Sequence, residues 1–302
     1  MELMTFEEFK ERIINDIESL LNEPVRVFST SKVNVVKTGI TLHGNNSLNA
    51  CLYIEDLYEE YKNDCKKNSF FGFMAYMKTL YRASDLLRKK SNANVQQITS
   101  IDYIRKNIYM CLMNTEKNRE KLKEIPNRKF FDLSIYYRVK VLTDDKNATA
   151  SYILNNNVLE MIGITEDELY KIAYENTPKL FKPYTLGMSI VMHKMLGEIP
   201  PLSQNLEVMF VSSNEISYNG SINILYPDEL RAVSDIHEDD LYIIPSSIHE
   251  IILVPTSMLP TDNLEKIREI CMQANKTSVK EDEVLCDTIY KYNRDTGYVM
   301  PA

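Results

Sequence analysis

The sequence predicts an α+β fold: mixed, largely antiparallel sheets with flanking helices, arranged as two closely packed lobes. Three observations carry that expectation. Runs of period two, or of four to five consecutive apolar residues, alternate along the chain with segments of helical period. Several strand candidates are joined by turns of only a few residues, too short for a parallel crossover. At 302 residues the chain also exceeds the usual size of a single core. Its charge changes sharply along its length, with a net −6 over residues 1–61, +11 over 62–140 and −13 over 141–302. The expected division is an N-terminal lobe of residues 1–128 with a basic middle region, followed by an acidic lobe of residues 129–302. An apolar fraction of 44% beside 26% charged residues argues against disorder.

The elements follow in order. Thr5-Phe6-Glu7-Glu8 is a capping box, and Phe6, Phe9, Ile13, Ile17 and Leu20 recur at helical spacing until Pro24. Val25 to Ser29, Val33 to Leu42 and Leu48 to Ile54 read as an antiparallel meander, the last two joined by Gly44-Asn45-Asn46-Ser47. Glu55 to Lys66 and Ser69 to Lys90 return to helical period. The second carries Phe70, Phe73, Met74, Met77, Leu80, Tyr81 and Leu87 on one face, read as core rather than a ligand groove. A helical piece begins near Thr99, Ile108 to Met113 reads as a strand, and Thr115 to Ile125 as a charged helix stopped by Pro126. Phe130 to Leu142 is one strand, paired with Ala150 to Leu154. Thr165-Glu166-Asp167-Glu168 caps a helix expected to yield near Thr177-Pro178. Leu206 to Val211 is a buried strand, Asn219-Gly220 a tight turn, and Pro227 the start of a short helix. Leu241 to Ile244 and Ile251 to Val254 are expected as neighbouring antiparallel strands, followed by a helix from Asp262 and a final strand, Asp287 to Tyr292.

The turn between those two apolar runs is the candidate binding site. Ser246, Ser247, His249 and Glu250 stand on a frame rigid enough to present them to a partner. A hydrolase reading places a serine hydroxyl beside His249, with Glu250 or Asp132 orienting the imidazole. Neighbouring strand residues point to opposite faces, however, and turn serines commonly satisfy backbone groups, which favours a structural use. Arg88, Lys89, Lys90, Arg105 and Lys106 are the candidate anion-binding residues of the basic middle. Its other reading is a basic region that balances the acidic one, and overall acidity favours balance over nucleic-acid binding.

Other chemistries lack their residues. His237 and His249 are followed four positions later by Leu241 and Leu253, where a zinc protease needs a second histidine. The His237-Glu238-Asp239-Asp240 cluster reads as a solvated loop, and no metal site is expected. Eight glycines form neither nucleotide-binding loop, and Gly187-Met188-Ser189 continues as Ile190-Val191 rather than a hydrolase elbow. No cofactor is expected. Five widely spaced cysteines suggest reduced thiols, with Cys111 and Cys286 as minor nucleophile candidates. No apolar run approaches the ~18 residues of a membrane span and the amino terminus is acidic, so a cytoplasmic location without membrane contact is expected. The residues name no reaction class. The preferred expectation is a non-enzymatic binding or accessory protein with a protein or small-molecule partner. The hydrolase and nucleic-acid readings are the alternatives.

Four stretches carry a family resemblance: Asn114-Thr115-Glu116-Lys117-Asn118 running to Pro126 and Phe131-Asp132-Leu133; Glu175-Asn176-Thr177; Pro245-Ser246-Ser247-Ile248-His249-Glu250; and Glu283-Val284-Leu285-Cys286-Asp287 with Tyr290-Lys291-Tyr292. Together they resemble a bacterial family known only as a domain of unknown function, over most of the chain. The order of helix, Asn, buried strand, Pro-Ser turn and closing strand is similar to a second uncharacterised bacterial family, in which an Arg-Asp pair follows the proline. Ser247 to Glu250 stand in that place here, so neither resemblance implies a transferable activity or site residue.

Overall fold

The computed structural model describes residues 3–22, 24–42, 51–64, 70, 72–79, 95–141, 150–197, 208–259 and 264–302. The fold is α+β, with three largely antiparallel sheets and flanking helices. Contacts divide it into two units, residues 1–100 with 141–150 and residues 101–140 with 151–302. Arg128 lies inside the strand Asn127–Phe130, whose sheet partner Leu133–Val141 follows it, so no boundary between the units falls there. No helix among the described residues is long and apolar enough to cross a membrane.

In the first unit the helix Phe6–Leu21 opens on the expected capping box. Thr5 Oγ1 accepts from the Glu8 N–H at 3.4 Å, while Glu8 Oε2 accepts from the Thr5 N–H at 2.8 Å. Asn22, in the left-handed region at φ 56°, ends it. Phe9, Ile13 and Ile17 lie on one face and are buried, as the 3.6-residue period requires. They meet Leu57 and Tyr61 of the helix Ile54–Asp64, with Phe9 stacked on Tyr61 at 5.0 Å. Phe70, Phe73, Met74 and Met77 join this core, which gives the Met and aromatic stripe its packing role. Strands β1 (Val25–Ser31), β2 (Val36–Leu42) and β3 (Leu52–Tyr53) form the meander. The turn 44–47 and residues 80–90, with Arg88, Lys89 and Lys90, lie outside the described residues.

The second unit holds two sheets. In one, β6 (Leu133–Val141) pairs with β4 (Ile108–Asn114), with β5 (Asn127–Phe130) and with β7 (Ala150–Ile153). The other is six-stranded, in the order β13-β12-β10-β11-β9-β8, built from β8 (Pro183–Gly187), β9 (Phe210–Asn214), β10 (Leu241–Ile244), β11 (Ile251–Pro255), β12 (Tyr290–Tyr292) and β13 (Val299–Pro301). The hairpin of β10 and β11 is antiparallel as expected, with Ile244 opposite Ile252 and Leu241 opposite Pro255. Both of its faces are buried, which explains the unbroken apolar runs. Leu241, Ile243, Ile251 and Leu253 enter the main core with Leu133, Ile135, Tyr137 and Val139 of β6. Tyr242, Ile244 and Val254 face the other way, where Leu264, Ile267 and Cys271 of the helix Leu264–Thr277 pack against them.

Five local expectations need correction. Instead of a helix over 115–125 there is one turn, Arg119–Leu122. Asn114 Oδ1 accepts from the Lys117 N–H at 3.0 Å and Asn118 Nδ2 donates to the Asn114 carbonyl at 2.7 Å, so side chains turn the backbone before a helix can start. The single strand from 130 to 142 is a hairpin. Phe130 pairs with Leu133 around the two-residue turn Phe131-Asp132, with Phe131 at φ 55°. The helix Glu166–Leu180 passes straight through Pro178. The strand expected over Leu206 to Val211 begins at Phe210 and runs to Asn214, and the turn at Asn219-Gly220 leads into the 3-10 helix Gly220–Leu225. The last predicted strand shortens to β12 and gains β13 as its edge partner.

Candidate functional site

The site is built where three elements meet the free edge of β4. That edge is closed by the helix Glu166–Leu180: Asn176 Nδ2 donates to the Ile108 carbonyl at 3.2 Å, and the Met110 N–H donates to Thr177 Oγ1 at 3.0 Å. Thr177 passes its own proton to the Ala173 carbonyl at 2.6 Å. Pro178 has no N–H, so the Tyr174 carbonyl one turn back loses its helical donor. Tyr226 supplies the replacement, donating its hydroxyl to that carbonyl at 2.9 Å. A helix that breaks its own ladder at Pro178 is thereby pinned to the segment that follows Gly220–Leu225.

The turn 214–219 is ordered by one side chain. Asn214 Oδ1 accepts from the N–H groups of Ile216 at 3.3 Å and Tyr218 at 3.2 Å, and its Nδ2 donates to the Tyr218 carbonyl at 2.8 Å. Asn223 Nδ2 donates to Ser212 Oγ at 3.0 Å and to the Ser213 carbonyl at 2.7 Å, which fastens the 3-10 helix to β9.

The predicted turn supports this arrangement from behind. His249 Nδ1 accepts from the Asn219 N–H at 3.2 Å, a hydrogen-bond pattern that assigns the ring proton to Nε2. Nε2 lies 3.7 Å from Glu283 Oε1, and the ring packs on Tyr218 with centroids 5.3 Å apart. The His249 carbonyl accepts from the Gly220 N–H at 3.0 Å and from Ser213 Oγ at 2.8 Å. Only glycine fits at 220: a Cβ there would stand 2.6 Å from that carbonyl oxygen and 2.7 Å from Ser213 Cα. Ser247 Oγ accepts from the His249 N–H at 3.0 Å, and Ser246 Oγ donates to Glu250 Oε1 at 3.3 Å. The four predicted residues do come together. Their polar atoms, however, are turned toward one another and toward the 213–221 segment, and neither serine hydroxyl is bonded to the imidazole.

Tyr109, Thr177, Asn214, Tyr218, Asn219 and Tyr226 line a cavity of about 10 Å³, room for a group no larger than a water. Most of their polar atoms are engaged as described. Two are not: Asn219 Nδ2 and the Tyr109 hydroxyl are fully buried and have no hydrogen-bond partner among the described residues. Tyr109 is 1% exposed and Asn219 4%. Burial holds the Tyr109 phenol well above its ordinary pKa, so it is a neutral donor at physiological pH. Ser151 can donate its hydroxyl to the phenol oxygen, but its own oxygen already accepts from Arg138 Nε at 3.0 Å and Nη2 at 2.9 Å, which leaves the phenolic O–H without an acceptor. The sequence hid both groups: Tyr109 sits in a run that reads as buried strand, and Asn219 in a pair that reads as a turn.

Arg105 and Lys106 stand exposed on the helix Ile101–Asn107. Elsewhere in the basic stretch, Arg119 pairs with Glu116 at 2.6 Å and Lys123 with Glu120 at 2.7 Å, while Arg128 reaches Glu166 at 2.6 Å and also Asp167. The Asp239 carboxylate accepts from Thr256 Oγ1 at 2.8 Å and the Ser257 N–H at 2.7 Å, and Asp240 pairs with Lys291 at 2.9 Å. Burial pushes the thiols of Cys111 and Cys286 up to about 12, that of Cys286 with help from Asp132, so both stay protonated and unreactive near neutral pH.

No curated protein and no solved structure matches the chain. A family model does match, across residues 6–294, and the chain belongs to that family of unknown function, DUF5688.

Proposed function

We propose that the protein is a non-enzymatic binding protein that receives one polar group of a small ligand in the cavity beside β4. The observation that carries this reading is the pair of unpartnered buried groups, Asn219 Nδ2 and the Tyr109 hydroxyl, on the wall of one cavity. A buried donor without an acceptor costs about 1–3 kcal/mol, so two at one place favour an acceptor brought from outside. The His249 turn then serves as the support that holds Asn219 in position. Binding is favoured over hydrolysis because the hydroxyls of Ser246 and Ser247 are occupied within the turn, and the two buried thiols stay protonated. The free cysteines fit the reducing cytoplasm of a bacterium.

The test is a two-dimensional NMR titration with two small acceptor probes, acetate and N-methylacetamide. A saturable shift of the Asn219 side-chain amide with either probe, absent in Asn219→Gly, supports the reading. Glycine tolerates the left-handed backbone at 219, φ 55°, so this variant removes the amide without strain. Silence of that amide toward both probes would sink the reading.

A further inference from the structure

Building on that ligand-binding reading, we propose that the group received in the cavity is a carboxylate: one oxygen bonded by Asn219 Nδ2 and the Tyr109 hydroxyl, with Arg138 and Lys140 as its countercharge. Arg138 stands directly opposite Tyr109 in the pairing of β4 with β6. Side chains two apart on a strand share a face, so Lys140 projects on the same side as Arg138. Each cation lies beside the aromatic wall of the cavity without lining it. Tyr109 and Tyr218, which line it, are both electrostatic neighbours of Arg138. Lys140 Nζ lies 4.6 Å from the ring centroid of Phe181, and that ring packs edge-on against Tyr109 at 4.7 Å.

Neither cation has a carboxylate partner among the described residues. Arg138 donates to the hydroxyl and carbonyl of Ser151, both uncharged, and Lys140 Nζ lies 3.5 Å from the Leu180 carbonyl. That carbonyl belongs to the end of the helix Glu166–Leu180, whose terminal charge of about −0.5 would repel an anion. Lys140 sits on it and offsets it, which leaves the guanidinium charge of Arg138 uncompensated. Two half-buried cations left without acids on one face of β6 point to an anion that arrives with the ligand. Size selects among anions. The cavity takes one oxygen, and the narrow planar end of a carboxylate brings an oxygen into so small a space with less bulk behind it than a tetrahedral phosphate does.

Acetate, N-methylacetamide and inorganic phosphate, each titrated at constant ionic strength while the Asn219 side-chain amide is followed by NMR, decide the matter. Acetate should saturate, N-methylacetamide should bind at least about tenfold more weakly, and phosphate should give no saturable shift. Arg138→Gln should weaken acetate by about tenfold, the loss of its nearest uncompensated countercharge. N-methylacetamide binding as tightly as acetate would overturn the carboxylate assignment and leave the binding reading standing, as would phosphate binding equally well. No response to any probe would remove both and leave an ordered water as the occupant. Should Arg138→Gln fail to fold, Lys140→Gln replaces it with an expected loss of several-fold, and unchanged acetate affinity there overturns the proposal.

Discussion

His249 is the residue whose meaning changes most between sequence and structure. Its position on a short polar turn between apolar runs was legible, because periodicity marks both strands and the turn residues between them. Its role was not, because the partner of its Nδ1 is the Asn219 N–H, thirty residues earlier. Local pattern carries no information about such a contact. His249→Ala is expected to lower stability by about 1–3 kcal/mol, the cost of leaving a buried backbone donor unpaired. Thermal unfolding checks this, and an unchanged melting temperature would show that the bond contributes nothing. Gly220→Ala gives an independent reading of the same contact. Its new methyl meets two backbone atoms that cannot rotate away, so a further loss of about 1–3 kcal/mol is expected in urea titrations. Asp240 adds a dependence on pH. Burial alone would raise its pKa, but the Lys291 ammonium and the Arg294 N–H outweigh that and bring it below the ordinary 3.8. A carboxylate lowered on folding stabilises the protein fully above its unfolded value, and that contribution is lost as pH falls through the folded one. The melting temperatures of the wild type and Asp240→Asn should therefore differ at pH 7 and converge below about pH 3.8. A gap that persists in acid would exclude this linkage.

Among the elements, those with regular period were read well and those set by a single side chain or a distant partner were not. Capping boxes at Thr5 and Thr165 mark real helix starts, since all of their atoms lie within four residues. The Phe131-Asp132 turn gave no comparable signal, because a phenylalanine at φ 55° violates the ordinary preference for Asn or Gly. It is held from far away: Asp132 accepts from Thr288 Oγ1 at 2.8 Å and from the Tyr290 hydroxyl, and the Phe131 ring lies 5.9 Å from that of Tyr290. Pro178 misled for the same reason. Proline marks a helix end when nothing rescues the lost hydrogen bond, and here Tyr226 rescues it from 52 residues away. Tyr226→Phe keeps the ring, which stacks near Tyr174 at 4.8 Å, and removes only the hydroxyl. It should cost about 1 kcal/mol and increase hydrogen exchange in the last turn of the helix Glu166–Leu180. Exchange there equal to the wild type would show that water replaces the hydroxyl without loss.

At the scale of the whole chain the α+β class was legible, while the grouping of its segments was not. Period and turn length decide which residues are helix and which are strand. What assigns residues 101–128 to the second unit is the full-length pairing of β4 with β6, and register across the intervening residues 115–132 leaves no mark in local composition. Each unit has its own core, centred on Phe9, Ile13 and Phe73 in one and on Leu133, Ile243 and Leu253 in the other. Ile243 is 0% exposed, and Ile243→Asp should cost roughly 3–5 kcal/mol by burying an unpaired charge. Ile270→Asp, at a position 67% exposed on the helix Leu264–Thr277, should stay within about 0.5 kcal/mol. Chemical denaturation of the pair checks the contrast, and equal effects would contradict the burial of β10.

The side chains of Asn176 and Thr177 fill the hydrogen-bonding positions that an extra strand would need along the outer margin of β4. An unprotected margin of seven largely apolar residues, Ile108 to Asn114, is a template for aggregation. The docked helix therefore guards against intermolecular β-sheet growth, and its detachment is the local opening that would expose this chain to fibril formation.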